Sequence, residues 1–284
     1  MAAPITFDER RGACYLACTM RVIDFHTHAF PDKLAERAMP ALEREGHVKG
    51  CHDGKVASLL RCMDEAGIER AALCSIATKP EQFLSILKWS REVSSERLTA
   101  FPSIHPADPE AVARLNAIRE AGFQGVKLHP YYQEFVLDEP RMFPIYERAQ
   151  ELNLILVCHT GYDIAFPRER RCDPEKILRV HQGFPRLKFI ATHLGAWEMW
   201  DDVERLLIGK PIYLETSFSI ELLGRERARR MILAHPKEYV LFGTDSPWTS
   251  QPASIRSVQE LKLGDEREEA ILFENAERLL CITR

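Results

Sequence analysis

Asp24-Phe25-His26-Thr27-His28 ends a run, Met20-Arg-Val-Ile-Asp-Phe25, whose β-branched and aromatic residues predict a short buried strand. Side chains two apart in a strand point to the same side. His26 and His28 therefore aim two imidazoles at one point, and neutral imidazole is a strong ligand for zinc and similar ions. One such pair is a weak signal; repetition gives it weight. His105, Lys127, His129, His159, His193 and Asp245 each sit at the end of a later apolar run, so six of the ten histidines fall at strand ends. Imidazoles and a carboxylate gathered in this way suit an ion that polarises a carbonyl or acidifies a water.

The elements that must position these residues alternate regularly. Apolar strands are predicted at 70–76, 98–104, 125–129, 154–159, 187–193, 212–216 and 239–243, following the first at 22–28. Helical patterns fill 56–67, 81–94, 108–122, 142–152, 173–183, 197–207 and 221–234, and two more follow at 254–261 and 266–280. A polar stretch, 31–55, with Gly46, Gly50 and Gly54, mixes helix and loop. Near-continuous apolar strands separated by helices mean a parallel sheet covered by helices. Eight such units point to an α/β fold of the closed (β/α)8 TIM barrel type, whose sites lie at the C-terminal ends of the strands. An open doubly wound sheet would need a glycine-rich phosphate loop after the first strand, and Phe25-His-Thr-His is not one.

Composition narrows the function. The 284 residues are 45% hydrophobic and 28% charged, with a formal net charge of −4, so no bulk electrostatic attraction to nucleic acid or anionic membrane is expected. No stretch is long enough for a membrane span. Of the eight cysteines none forms a C-x-x-C pair, which disfavours a structural zinc knot and agrees with thiols in a reducing cytoplasm. The segment with Cys14 and Cys18 has too short an apolar stretch, too close to Asp8, Glu9, Arg10 and Arg11, for a signal peptide. Residues 1–19 show no periodicity and are read as a disordered tail, leaving 20–284 as a single barrel domain.

The chain resembles the amidohydrolase superfamily, in the amidohydrolase-related (amidohydrolase 2) branch that includes aminocarboxymuconate-semialdehyde decarboxylase and γ-resorcylate decarboxylase. The resemblance rests on Ile23-Asp-Phe-His-Thr-His28, Met63-Asp-Glu-Ala-Gly-Ile-Glu-Arg70, Gly125-Val-Lys-Leu-His-Pro130, Val157-Cys-His-Thr-Gly161, Ala191-Thr-His-Leu-Gly195, Phe242-Gly-Thr-Asp-Ser-Pro247 and Glu274-Asn-Ala276, in the family's order. It implies one divalent metal, most often zinc, on His26, His28, His159 and Asp245, with His193 as a catalytic residue beside it. Asp245 would also act as catalytic base. Binuclear members of the superfamily bridge two metals with a carboxylated lysine at the position of Lys127; in this branch that bridge is the lesser expectation. Relatives are often dimers.

The first functional expectation is hydrolysis of an ester, lactone or amide in a small, anionic substrate, with Asp245 taking the water's proton and His193 stabilising charge or protonating the leaving group. The alternative is non-oxidative decarboxylation of a small carboxylic acid at the same site, with His193 handling the proton that replaces CO2. A catalytically silent metal- or metabolite-binding barrel would be expected to lack a ligand, and none is missing. Among substrate contacts, Lys127 is expected to pair with a carboxylate at the barrel mouth and His129 to touch substrate. Arg168, with Arg170 and Arg171, could hold a substrate carboxylate by bidentate hydrogen bonds. Trp248, Trp197, Tyr131 and Tyr132 are candidate pocket walls. His105 is either a site residue or a loop residue; His47, Cys51 and His52 form a local cluster that reads as a lid or plain surface, with a second metal site the lesser alternative; and Cys158 reads as a buried apolar residue.

Overall fold

A computed structural model describes residues 20–281; the tail 1–19, with Cys14 and Cys18, and residues 282–284 lie outside the described residues. Eight parallel strands run in chain order: β1 (Ile23–Thr27), β2 (Arg70–Cys74), β3 (Leu98–Phe101), β4 (Gly125–Leu128), β5 (Ile155–Cys158), β6 (Lys188–Ala191), β7 (Tyr213–Glu215) and β8 (Val240–Leu241). β1 to β3 and β4 to β8 each form a continuous ladder. The Lys127 N–H donates to the Pro102 carbonyl at 2.9 Å across one seam between them. Across the other, Phe25 donates to Phe242 (2.8 Å), Asp245 to His26 (2.7 Å) and His28 to Ser246 (2.6 Å). The ring is thereby closed as a (β/α)8 barrel.

Two apolar layers follow from the strand alternation. Ile23, Phe25, Ala72, Cys74, Phe101, Ile155, Val157, Ile190 and Leu241 make an inner cluster. Their neighbours, such as Leu73, Val126, Leu156 and Ala191, pack with the helix layer instead. The strands are therefore apolar on both faces, as a parallel sheet under helices requires. Phe25 and Phe101 meet edge to face, with centroids 5.7 Å apart, beneath the mouth of the barrel. Phe273, Ala276 and Leu279 join this inner cluster from the C-terminal helical segment.

The helices are α1 (Asp32–Glu45), α2 (Val56–Ala66), α3 (Phe83–Val93), α4 (Ala111–Glu120), α5 (Phe143–Glu151), α6 (Pro174–Gly183), α7 (Trp200–Leu206), α8 (Ile220–Leu223), α9 (Arg225–Ala234), α10 (Gln251–Glu260), α11 (Asp265–Glu269) and α12 (Asn275–Leu279), the last two joined by a π-helical turn, Ala270–Glu274. The predicted helix at 221–234 is split because Gly224 takes φ +83°, outside helical space. No helix among the described residues is long and apolar enough to cross a membrane.

His235, buried after α9, donates from Nε2 to the Ile212 carbonyl at 2.9 Å. Burial, only partly offset by that hydrogen bond, lowers its pKa to about 4. The folded value lies below the unfolded one, so the contribution is present above about pH 6.5 and is lost as pH falls towards 4. Melting curves should show stability declining through that window, and His235→Gln, which keeps a donor, should reduce the decline by up to about 3 kcal/mol. Equal slopes in both proteins would assign the decline elsewhere.

Candidate metal centre

The alternation of β1 is interrupted once. Ile23 and Phe25 face the inner cluster, and strict alternation would turn His26 outward; a register irregularity between Asp24 and Thr27 restores both His26 and His28 to the interior. Asp24 faces the other way and ties β1 to the β8 loop: it accepts from the Thr244 N–H (3.0 Å) and from Gln251 Nε2 (2.9 Å) of α10.

At the top of the barrel His26 Nε2 and His28 Nε2 lie 3.2 Å apart. Asp245 Oδ1 is 3.4 Å from the first and 3.1 Å from the second. A second pair stands beside them, His193 Nε2 and His159 Nδ1, at 3.1 Å. The far nitrogens are all occupied by acceptors. His28 Nδ1 meets the Cys74 carbonyl (2.8 Å), His159 Nε2 the Tyr162 carbonyl (2.9 Å) and His193 Nδ1 the Ser217 carbonyl (3.2 Å). His26 Nδ1 meets Glu215 Oε1 at 3.1 Å. A carbonyl or carboxylate oxygen accepts, so each far nitrogen carries the proton and each near nitrogen presents a lone pair.

Burial first, and neighbouring positive charge second, hold His26 and His159 well below the ordinary histidine value; burial also lowers His193. Asp245 is the one carboxylate in this group of imidazoles. Neutral imidazoles and an anionic carboxylate converge with acceptors facing acceptors, and a cation relieves that arrangement. Ligand atoms 3.1 to 3.4 Å apart suit an ion about 2.0–2.2 Å from each. His193 and Asp245 both take left-handed backbone, φ +58° and +60°, a conformation uncommon outside glycine that marks a constrained site.

The amidohydrolase family model matches residues 23–282. The chain belongs to the amidohydrolase family. Its fold is shared with an uncharacterized TIM-barrel protein, Bb4693 from Bordetella bronchiseptica, at 21% identity and TM-score 0.73, covering 92% of this chain and 98% of that one. It is also similar to 5-carboxyvanillate decarboxylase LigW from Sphingomonas paucimobilis (15% identity, TM-score 0.66, 93% and 100% covered). A third similar structure is 5-carboxyvanillate decarboxylase LigW2 from Novosphingobium aromaticivorans with bound manganese (13%, TM-score 0.65, 92% and 97% covered). Family membership makes this chain a metal-dependent enzyme, a hydrolase or a carboxy-lyase acting on a small molecule.

Within this amidohydrolase the expected residues divide. His26, His28 and Asp245 form one ligand group; His159, expected to join it, turns Nδ1 to His193 instead. Lys127, His129, Trp197, Tyr132 and Trp248 line the same cavity. Lys127 corrects the expectation of a carboxylate partner: it is fully buried, and its Nζ lies 2.9 Å from His26 Nε2. Arg168 is a second correction. It is exposed and paired with Glu198, while Arg170 pairs with Asp202 and Arg171 with Glu169, so neighbouring carboxylates hold all three arginines and none lines the cavity. His105 is a loop residue whose Nδ1 accepts from the Ala107 N–H at 3.1 Å. His52 bonds Ser246 Oγ at 3.1 Å and the Cys51 N–H donates to the Pro247 carbonyl at 2.7 Å, so that cluster pins the loop after α1 to the β8 loop.

Two carboxylates of the site were missed in the sequence. Asp163 Oδ2 lies 3.3 Å from His129 Nε2 and 3.6 Å from His159 Nε2, and these histidines outweigh its burial and hold it below the usual carboxylate range. Glu215, fully buried at the end of β7, accepts from the His193 N–H (2.9 Å), the Ser217 N–H (2.8 Å) and Ser217 Oγ (2.6 Å) besides facing His26. The available signal was a lone charge closing the apolar run Ile212-Tyr-Leu-Glu215, at the one strand end in this half of the barrel given no role. Gly243 makes room for it: a Cβ there would stand 2.1 Å from Glu215 Oε2. Glu215→Gln should weaken metal binding about 10- to 100-fold in a competitive chelator titration, because it alters the partner that fixes the His26 tautomer. Unchanged affinity would make Glu215 purely structural.

Proposed function

We propose that this chain is a metal-dependent, non-oxidative carboxy-lyase acting on a small carboxylic acid, with His26, His28 and Asp245 holding a divalent ion. The observation that carries the reading is Lys127, a fully buried basic side chain in the cavity, with no carboxylate paired to it among the described residues. A buried charge needs a counter-charge, and a substrate carboxylate would supply it beside the ligand group. The ion, when bound, would supply positive charge that anchors and polarises the substrate's oxygens. His193 Nε2, 3.1 Å from His159 Nδ1, presents a lone pair in the resting site; it would take up the proton of the incoming acid and pass it to the carbon that loses CO2. The C–C bond breaks, its electron pair stays on that carbon, and the proton replaces CO2 there. Similarity to solved decarboxylases supports this reading over the hydrolysis first expected from sequence. Three imidazole and carboxylate donors favour zinc, with manganese the competing ion. The six described cysteines are free thiols, which supports a reducing, cytoplasmic setting.

A second reading has its own observation. The His159 and His193 pair could hold a second ion, with Lys127 carboxylated between the two groups, and such a centre suits hydrolysis. Elemental analysis of wild type and Lys127→Met, with CO2 release from a panel of carboxylic acids, separates them. The carboxy-lyase should hold one ion per chain in both proteins, release CO2, and show KM raised about a hundredfold in the variant. Two ions falling to one or none in Lys127→Met, with turnover of lactones or amides and no CO2, would establish the hydrolase instead.

A further inference from the structure

The cavity above the ligand group has a volume of about 460 Å³, within the range that encloses a drug-sized molecule. Its floor is polar and its outer arm is not. Leu34, Ala38, Ala41 and Leu42 line it from α1, with Ile86 and Trp89 facing from α3. The α1 residues lie four, seven and eight positions from the first, one helix face. That face adjoins Ala35 and Met39, the residues through which α1 is buried against the rest of the fold. The two alanines keep the arm wide.

Two polar side chains of the arm, Gln82 and Ser85, are engaged within the chain. Gln82 Oε1 accepts from the Thr78 N–H (2.7 Å) and the Lys79 N–H (3.1 Å), and Ser85 Oγ donates to the Gln82 carbonyl (2.8 Å). Among the described residues no arginine lines the cavity, and the one lysine there, Lys127, is at the floor. Leu34 is 43% exposed and Ile164 45% exposed at the rim, large apolar side chains facing water on the edge of a concave site.

We propose that the substrate has a single polar head, which enters the ligand group, joined to an extended apolar body of several carbons that fills the arm between α1 and α3. The site selects a lipophilic acid rather than a small acid decorated with polar groups. This rests on the carboxylate reading of the floor for the identity of the head, and on the arm alone for the body.

The test measures binding of straight-chain monocarboxylates and, separately, straight-chain primary alcohols, each from two to eight carbons, to the metal-loaded protein. The readout is fluorescence of Trp89, Trp197 and Trp248, which line the cavity. Affinity should rise about fourfold per added methylene in both series until the arm is full. Ala41→Phe should remove the gain for the longer members while leaving the two-carbon acid unchanged, and Leu34→Asp, at an exposed position that does not threaten folding, should lower affinity for the longest. A flat length series for the alcohols, or a length dependence untouched in both variants, would overturn the proposal. Length-dependent alcohols with acids that bind no better at any length would leave the arm standing and sink the carboxylate reading of the floor.

Discussion

Asp245→Asn is expected to abolish stoichiometric metal and to lower turnover at least about a thousandfold. Asp245 brings the anionic charge to a ligand group otherwise made of neutral imidazoles, with Oδ1 within 3.4 Å of both His26 and His28 Nε2. Asparagine keeps the shape and loses the charge. It also tolerates the left-handed backbone at this position, φ +60°, and leaves intact the hydrogen bond from the Trp248 N–H to the Asp245 carbonyl (2.9 Å). The fold should therefore persist while the site fails. Elemental analysis, turnover and a thermal melt on the same preparation check all three parts. Full metal content with unchanged turnover would remove Asp245 from the centre.

Gly161→Ala is expected to destabilise the protein by about 4 kcal/mol or more, a large share of the 5–15 kcal/mol that typically separates folded from unfolded chains. Gly161 has φ +89°, and a Cβ there would lie 2.0 Å from the backbone nitrogen of Trp197. Two loops are laced together at this point. The Trp197 N–H donates to the Thr160 carbonyl (2.9 Å), the Tyr162 N–H to the Trp197 carbonyl (3.0 Å) and the Gly161 N–H to the Cys172 carbonyl (3.0 Å). Backbone on both sides leaves nowhere for a methyl group to go, and His159 and Asp163, two residues either side, would shift with it. The melting temperature should fall by roughly 10 °C. A fall of only a degree or two would show that the Trp197 loop yields.

The barrel was legible because its rule is local: apolar strand, helix, apolar strand, repeated, with imidazoles at the strand ends. That rule brought His26, His28 and Asp245 forward as candidates. What failed depended on partners far along the chain. Arg168 looked available in the sequence, but Glu198, thirty residues on, occupies it. Lys127 was assigned a carboxylate that no described residue supplies, because nothing in Val-Lys-Leu-His reveals that its Nζ ends beside His26, 101 residues away. Strand position placed His159 at the site but not which nitrogen faces it; that follows from the Tyr162 carbonyl holding Nε2. Glu215 went unseen because a lone acidic residue ending a strand also reads as a solvent-facing terminus, and only the missing Cβ of Gly243 creates its niche. The helix α1 lies in a stretch read as mixed helix and loop, and nothing in that reading revealed that Leu34, Ala38 and Ala41 wall a cavity.

The first and last strands of the ring meet where Phe25 donates to Phe242 and Asp245 donates to His26. His26 and His28 belong to one side of this join and Asp245 to the other. An ion shared by the three would rivet the chain's beginning to its end, so that acquiring the ion and completing the ring become one thermodynamic event. Because a ligand that binds only the closed form stabilises it by mass action, ion supply would govern how long such a chain survives proteases as directly as it governs whether it turns over.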